Sequence, residues 1–271
     1  MLEDKRNLKI KEVWYNKAIA LYYLAKYEEA LRSFNYALEI HPFYKFGILG
    51  KGTTLSKLNR FEEALESYNK ALAIDPNDIV ALNNKGSALN SLKRYDEALE
   101  CLDKALEIDP NYIVALNNKG NALNSLKRYE EALECLDKAL EIDPNDIVAL
   151  NNKGIALGGL KRYDETLEYY DKALKIDPNH ISALNNKGNA LSGLKRYDEA
   201  LEYYDKALEI DPNSAGTWYN KACLESLRNN LDESIKYLKI AIELDNSLLG
   251  KAIEDPDFDN IKDTPKFRKL I

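Results

Sequence analysis

The chain has 271 residues, 45% of them hydrophobic, so it can bury a sizeable core. With 45 acidic and 38 basic residues its net charge is −7, and we therefore expect neither nucleic acid nor a membrane as a partner. The polar start lacks a signal-peptide core, no long apolar run follows, and the three cysteines form no Cys-x-x-Cys pair, so we expect a cytoplasmic protein.

Six prolines recur every 34 residues, which indicates an internal repeat. They are Pro42, Pro76, Pro110, Pro144, Pro178 and Pro212. With the proline at position 32 of a unit, the period predicts seven units, of which the last has Asn246 instead. The predicted units are 11–44, 45–78, 79–112, 113–146, 147–180, 181–214 and 215–248.

Each unit contains two stretches of helical periodicity, such as IVALNNKGSALNSL and YDEALECLDKALEI in the third unit. Because proline cannot continue a helix and Asp-Pro-Asn favours a turn, each unit is predicted to be one helical hairpin. At the turn inside the hairpin, Lys93-Arg94 ends the first helix and Asp96-Glu97 begins the second. These charges complement the two helix dipoles.

Two columns of small residues allow the helices of a hairpin to approach closely. Position 8 is Ala18, Gly52, Gly86, Gly120, Gly154, Gly188 and Ala222, and position 27 is Ala37, Ala71, Ala105, Ala139, Ala173, Ala207 and Ala241. Together with the 34-residue period, these columns resemble the tetratricopeptide repeat family over residues 11–248. The resemblance implies an all-α fold, a right-handed superhelical solenoid of seven hairpins.

The segments outside the repeats are predicted to be an N-terminal extension, residues 1–10, and a C-terminal cap, residues 249–271. A repeat array exposes an apolar face at its end, and the apolar residues of the tail can cover it. The expected packing residues are Leu248, Leu249, Ala252, Ile253, Phe258, Ile261, Phe267, Leu270 and Ile271. The alternative is a tail that docks into the groove of another copy.

By the same resemblance, the polar arc of the first helices lines a concave groove. In the central units this arc is rich in asparagine, whose amide both donates and accepts hydrogen bonds and so suits the backbone of an extended peptide. The predicted peptide-binding residues are Asn83, Asn84, Asn117, Asn118, Asn121, Asn151, Asn152, Asn185, Asn186 and Asn189. The alternative is that these asparagines only stabilise the local backbone.

The first unit instead carries aromatic residues on this arc, including Tyr15, Tyr22 and Tyr23, with Phe46 following in the second unit. Exposed aromatic groups can anchor an apolar side chain of a partner, so we add Tyr15 and Tyr22 to the predicted site. The competing interpretation is that residues 1–10 fold back over these rings as a cap.

Every unit has lysine at position 7, within the packed arc, where the family prefers an aliphatic residue. The lysines are Lys17, Lys51, Lys85, Lys119, Lys153, Lys187 and Lys221. We expect their stems to lie along the interface and their ammonium groups to reach an acidic partner such as Asp103 or its equivalents. A phosphate-binding column is the alternative.

No arrangement of residues suggests chemistry. His41 and His180 are isolated, the carboxylates recur as helix faces, and no glycine-rich phosphate loop is present. We predict no enzyme activity, metal or cofactor. The predicted function is an interaction scaffold that holds an extended segment of another protein. The alternative is a structural solenoid that self-associates end to end.

Overall fold

In the computed structural model the chain is an all-α array of consecutive helical hairpins, as the sequence predicts. The structure describes the backbone of residues 2–271 and the side chains from Ile10 onward. The first helices of the seven hairpins are α1 Leu2–Tyr23, α3 Lys45–Lys57, α5 Ile79–Ser91, α7 Ile113–Ser125, α9 Ile147–Gly159, α11 Ile181–Gly193 and α13 Ala215–Leu227. The second helices are α2 Tyr27–Ile40, α4 Phe61–Ile74, α6 Tyr95–Ile108, α8 Tyr129–Ile142, α10 Tyr163–Ile176, α12 Tyr197–Ile210 and α14 Leu231–Leu244.

The chain divides into two compact units. The first, Met1–Asp143, contains α1 to α8, and the second, Pro144–Ile271, contains α9 to α14 and the C-terminal segment. In both units the two helices of a hairpin approach closely at the small residue of position 8. A Cβ atom on Gly154 would lie 2.4 Å from Tyr170, which shows how closely the helices approach.

The turn between the helices of a hairpin has a left-handed residue at position 15 throughout. These residues are Ala25, Asn59, Lys93, Lys127, Lys161, Lys195 and Asn229, with φ between 56° and 61°. The next amide closes the turn: the N–H of Arg94 donates to the carbonyl of Leu89 at 2.9 Å. Glycine, the residue that most readily adopts a positive φ, is absent from position 15, so the sequence did not predict the left-handed turn.

The C-terminal segment consists of α15 Leu248–Glu254, a single 3₁₀ turn Pro256–Phe258 and α16 Pro265–Leu270. Phe258, Ile261 and Phe267 are buried with residues of the last hairpin, and the Thr264 hydroxyl accepts the N–H of Phe267 at 3.3 Å. The expectation of packing is wrong for Ile253 and Ile271, which are exposed.

At the N-terminus, residues 2–10 continue α1. The interpretation in which this segment folds back over the first hairpin is therefore wrong. Met1 lies outside the described residues.

Candidate functional site

The first helices present a surface of side-chain amides and hydroxyls in both units. In the first unit it comprises Asn84, Ser87, Ser91, Asn118, Asn121 and Ser125, which we call the first-unit amide surface. In the second unit it comprises Asn186, Asn189, Ser192 and Asn220, which we call the second-unit amide surface. Asn121 and Asn189 are the exposed asparagines of the two surfaces, and the other asparagines are partly buried.

The asparagines at unit position 5 lie deeper than the sequence indicated. Asn83, Asn117 and Asn151 are buried, as is Asn152 at position 6. The helical wheel placed them on the exposed arc, but in the structure their side chains are buried, and Asn83 and Asn151 lie where the next first helix packs. They are therefore not surface residues of the site.

Neighbouring first helices are joined by hydrogen bonds between side-chain amides. Asn118 Nδ2 donates to Asn83 Oδ1 at 2.9 Å, and in the second unit Asn186 Nδ2 donates to Asn151 Oδ1 at 3.1 Å. Asn220 Nδ2 likewise donates to Asn185 Oδ1 at 3.3 Å. Position 6 thus uses one amide hydrogen to hold its hairpin against the preceding one, and this supports the interpretation that these asparagines stabilise the repeat array.

A pocket of about 370 Å³ opens on the first-unit amide surface. Its lining is polar and mostly uncharged: Ser87, Asn90, Ser91, Lys93, Tyr95, Asn118, Asn121 and Ser125. Asn90 Nδ2 donates to the backbone carbonyl of Asn118 at 3.0 Å, which fixes α5 against α7 beneath the pocket. The pocket therefore has a floor fixed by a hydrogen bond and a rim of side-chain amides and hydroxyls.

Two pockets meet at Asn189 in the second unit, one of about 240 Å³ and one of about 340 Å³. The buried Tyr204 hydroxyl donates to Asn189 Oδ1 at 2.7 Å and fixes the rotamer of that amide. The side chain is thereby oriented so that its NH₂ group is left for another acceptor.

The C-terminal segment forms one wall of the larger pocket through Lys251, Asp255 and Asp257. Tyr219 donates its hydroxyl hydrogen to Asp255 Oδ2 at 2.7 Å, and the backbone N–H of Asp257 donates to Asp255 Oδ1 at 3.1 Å. Burial and the neighbouring Asp255 raise the pKa of Asp257. The sequence indicated only a cap here, because nothing in the repeat pattern places the tail beside the first helices.

Cys223, Asp255 and Asp257 are spaced closely enough to hold a metal ion, with one ligand atom from each within 4.8 Å of the others. Both oxygens of Asp255 already accept hydrogen bonds, one from Tyr219 of α13 and one from the backbone N–H of Asp257 within the C-terminal segment. Burial, and then the two carboxylates, raise the pKa of the Cys223 thiol, so it is not poised to be a thiolate ligand. The cluster is accounted for by the packing of the tail.

The aromatic residues of the first hairpin are partly packed against each other. The Tyr15 ring lies 6.0 Å from that of Phe34 and 5.3 Å from that of Tyr44, and the Tyr22 ring lies 5.5 Å from that of Tyr27. Burial raises the pKa of both Tyr15 and Tyr22. Of the aromatic residues that the sequence places on this arc, Tyr23 and Phe46 are the exposed ones, at 82% and 58%.

Three of the seven lysines at position 7 bridge consecutive hairpins, as predicted. Lys119 Nζ lies 2.6 Å from Asp103, and Lys187 and Lys221 form the equivalent ion pairs with Asp171 and Asp205. Burial lowers the pKa of Lys187, but the hydrogen bonds that its ammonium group donates to Asp171 and Tyr203 more than offset this effect, and the pKa is raised overall. Such engaged ammonium groups do not form a phosphate-binding column.

The remaining candidates for chemistry have structural roles. His180 Nδ1 accepts the N–H of Ala183 at 3.2 Å and caps α11. Burial raises the pKa of the Cys101 and Cys135 thiols. Within residues 2–271, no helix is both long and apolar enough to cross a membrane.

Tetratricopeptide repeat family models match most of the chain. The matched residues are 11–44, 49–78, 78–145, 111–178, 181–214 and 203–236. A search of curated protein sequences finds no significant match.

Several solved structures are similar to this chain. A tetratricopeptide repeat protein from Parabacteroides merdae ATCC 43184 superposes with a TM-score of 0.75 at 19% identity, over 88% of this chain and 94% of that one, which supports the fold alone. YrrB, described as a tetratricopeptide protein with an unusual peptide-binding site, has a TM-score of 0.50 at 28% identity, over 68% of this chain and 95% of its own. MamA from Desulfovibrio magneticus RS-1 has a TM-score of 0.52 at 27% identity, over 60% and 92%.

Proposed function

Because the chain belongs to the tetratricopeptide repeat family, whose fold generally serves as a non-enzymatic scaffold for protein interactions, we propose that it binds an extended peptide segment of a partner on its amide surfaces. The observation that carries the proposal is the polar, mostly uncharged pocket between α5 and α7, lined by side-chain amides and hydroxyls. Such groups can satisfy both the N–H and the C=O groups of an extended backbone.

The surface that surrounds the pocket indicates what kind of peptide would fit. Val80 and Val114, at position 2 of their units, are exposed on the same arc of the first helices. They offer contact to aliphatic side chains, while Asn118 and Asn121 offer hydrogen bonds to the backbone. Position 2 is never basic in the seven units, so the first helices offer no row of cations at that position to pair with a terminal carboxylate. We infer that an internal segment of the partner is bound.

YrrB supports this proposal by analogy, since it is similar to this chain over 95% of its own length and is described as having a peptide-binding site. The rigidity of the surface also supports it. Hydrogen bonds from Asn90 to the Asn118 carbonyl and from Tyr204 to Asn189 fix the groups that would contact a ligand, which lowers the entropy lost on binding.

End-to-end self-association, the alternative, is not favoured by the two end faces. The last hairpin is covered by Phe258 and Phe267 of the C-terminal segment. In addition, α14 carries Lys239 where the other second helices of the second unit carry aspartate. That lysine would face the exposed Lys17 of a following copy, and the two like charges would repel each other.

The proposal is tested with peptides selected from a random displayed library against the immobilised protein. Asn121→Glu and Asn189→Glu introduce a charge into the two surfaces and are expected to lower the affinity of the selected peptides at least tenfold. Asn111→Glu and Asn213→Glu are matched controls, because both side chains are exposed in turns at position 33. Equal affinities of all four variants, with unchanged circular dichroism, would contradict the proposal.

A further inference from the structure

The first hairpin has one face that is covered in later hairpins and open here. Val13, Lys17, Ala20 and Leu24 recur every three or four residues along α1 and form one stripe, which we call the open face. Val13 is 65% exposed and Leu24 is 68% exposed. The residues at the position of Val13 in three later hairpins, Ala81, Ala115 and Ala183, have no exposed surface.

Within each unit the equivalent stripe receives the second helix of the preceding hairpin. Ala81 of α5, for example, lies in one buried cluster with Ala71 and Leu72 of α4. At the centre of the stripe, Lys221 of α13 is paired with Asp205 of α12. In α1 the lysine of this stripe, Lys17, is exposed.

Beside the stripe, at position 16 of the unit, a second cation also lies near a carboxylate of the preceding hairpin. Arg94 Nη1 lies 3.5 Å from Glu62 of the preceding hairpin, and Arg60 Nη1 lies 4.0 Å from Glu28. Lys26 occupies the same position in the first hairpin; its side chain is 56% exposed and its Nζ lies 3.7 Å from Glu29 of its own hairpin, just as Arg60 also pairs with Glu63 of its own. The open face thus presents two ammonium groups, and in α13 the cations at or near these positions, Lys221 and Arg228, pair with two carboxylates of one helix, α12.

The helix α12 shows the complementary pattern in a single element. Asp198 Oδ1 lies 3.0 Å from Arg228, and Asp205 pairs with Lys221, so both acids face α13. Their spacing of seven residues, two helical turns, places them on the same side. A helix that covers a stripe of this kind therefore needs an apolar face and two acidic residues seven positions apart.

We propose that the open face of the first hairpin is a docking site for an amphipathic helix of a partner protein that carries two acidic residues at i and i+7, paired with Lys17 and Lys26. Binding is of the helix-in-groove kind, with small and apolar contacts along Val13, Ala20 and Leu24. The open face is separate from the amide surfaces. Helix binding at the open face and peptide binding at the amide surfaces can therefore be tested, and disproved, independently of each other.

The proposal is tested with a peptide of residues 197–210, the sequence of α12, acetylated and amidated and labelled with fluorescein. A free helix of this length is marginal in water, so a lactam between the exposed Glu202 and Lys206 side chains fixes it. Fluorescence anisotropy with the whole protein is expected to show saturable binding. Lys17→Glu with Lys26→Glu is expected to weaken it at least tenfold.

The matched control is Lys70→Glu with Lys104→Glu, which makes the same change in charge at exposed positions of α4 and α6 and is expected to leave the affinity unchanged. A peptide with Asp198→Lys and Asp205→Lys is expected to recover at least half of the lost affinity for the Lys17→Glu, Lys26→Glu protein. No saturable binding, equal binding by both double variants, or no recovery by the charge-reversed peptide would overturn the proposal. Sedimentation that shows a dimer lost on Lys17→Glu would also overturn it, because the occupant would then be a second copy.

Discussion

The ammonium nitrogen of Lys119 lies 2.6 Å from a carboxylate oxygen of Asp103 in the preceding hairpin. The same pair recurs between Lys187 and Asp171. Here the lysine side chain is buried, and its ammonium group also donates a hydrogen bond to the Tyr203 hydroxyl oxygen at 2.7 Å. A buried ammonium group between a carboxylate and a phenol is fixed in position. The ion pairs of Lys119, Lys187 and Lys221 therefore help to hold consecutive hairpins in register.

Lys187→Met keeps an apolar stem but removes the charge, so the variant should lose about 1–2 kcal/mol of unfolding free energy. Lys17→Met is the matched control: this lysine is exposed, and its replacement should change stability by less than about 0.5 kcal/mol. Urea unfolding followed by circular dichroism measures both. Equal effects of the two substitutions would show that the ion pair of Lys187 contributes nothing to the stability of the hairpin interface.

Asn35→Asp should stabilise the protein, because Asn35 stands where later hairpins have the aspartate that pairs with lysine. Its counterpart Lys51 has a pKa lowered by burial and by the neighbouring Lys70, so its charge is poorly compensated at neutral pH. A carboxylate at position 35 should add up to about 1 kcal/mol at pH 7. The gain requires both charges. It should shrink as the pH falls through the pKa of the new carboxyl group and as it rises through that of Lys51. A gain that is independent of pH would contradict the ion pair.

Gly154→Ala should destabilise the second unit, since its Cβ would lie 2.4 Å from Cε1 of the buried Tyr170 ring. The strain should exceed the gain in helix propensity and leave a net loss of about 1–2 kcal/mol. Gly216→Ala, whose Cβ meets nothing within 4 Å, should instead be neutral or gain up to about 1 kcal/mol. Opposite shifts of the melting temperature are expected, and a stabilised Gly154→Ala variant would show that the ring can move away.

Ala25→Gly should raise stability by about 0.5–1 kcal/mol, because Ala25 has φ of 56° at the turn between α1 and α2. Ala20→Gly, in the interior of α1, should lower stability by about 1 kcal/mol. Thermal unfolding of the two variants distinguishes a positional effect from the general effect of glycine. A loss in both would mean that the left-handed turn is not strained by alanine.

The fold was predictable because its determinants are periodic. Prolines such as Pro110 and small residues such as Gly154 recur at fixed positions, and each has one physical reason to be there. The lysine partners were predictable for the same reason, since Asp103 has a counterpart 34 residues later in Asp137.

The amide surface was predictable only in part. A helical wheel places Asn83 and Asn84 both on the polar arc, but it carries no information on where the next hairpin lies. In the structure the first helix of the next hairpin covers Asn83, and Asn118 of that helix donates a hydrogen bond to the amide oxygen of Asn83. The pocket wall formed by Asp255 and Asp257 depends on how the C-terminal segment packs against α13, and this packing cannot be predicted from the repeat pattern.

The central claim, that the amide surfaces bind an extended peptide, is tested most directly by following the side-chain NH₂ resonances of asparagine in ¹H–¹⁵N spectra during titration with a selected peptide. The account predicts saturable shifts for Asn121, Asn118 and Asn189, with little change for Asn111 and Asn213. Shifts confined to residues of the second helices or the turns, with Asn121 and Asn189 unmoved at saturation, would contradict it.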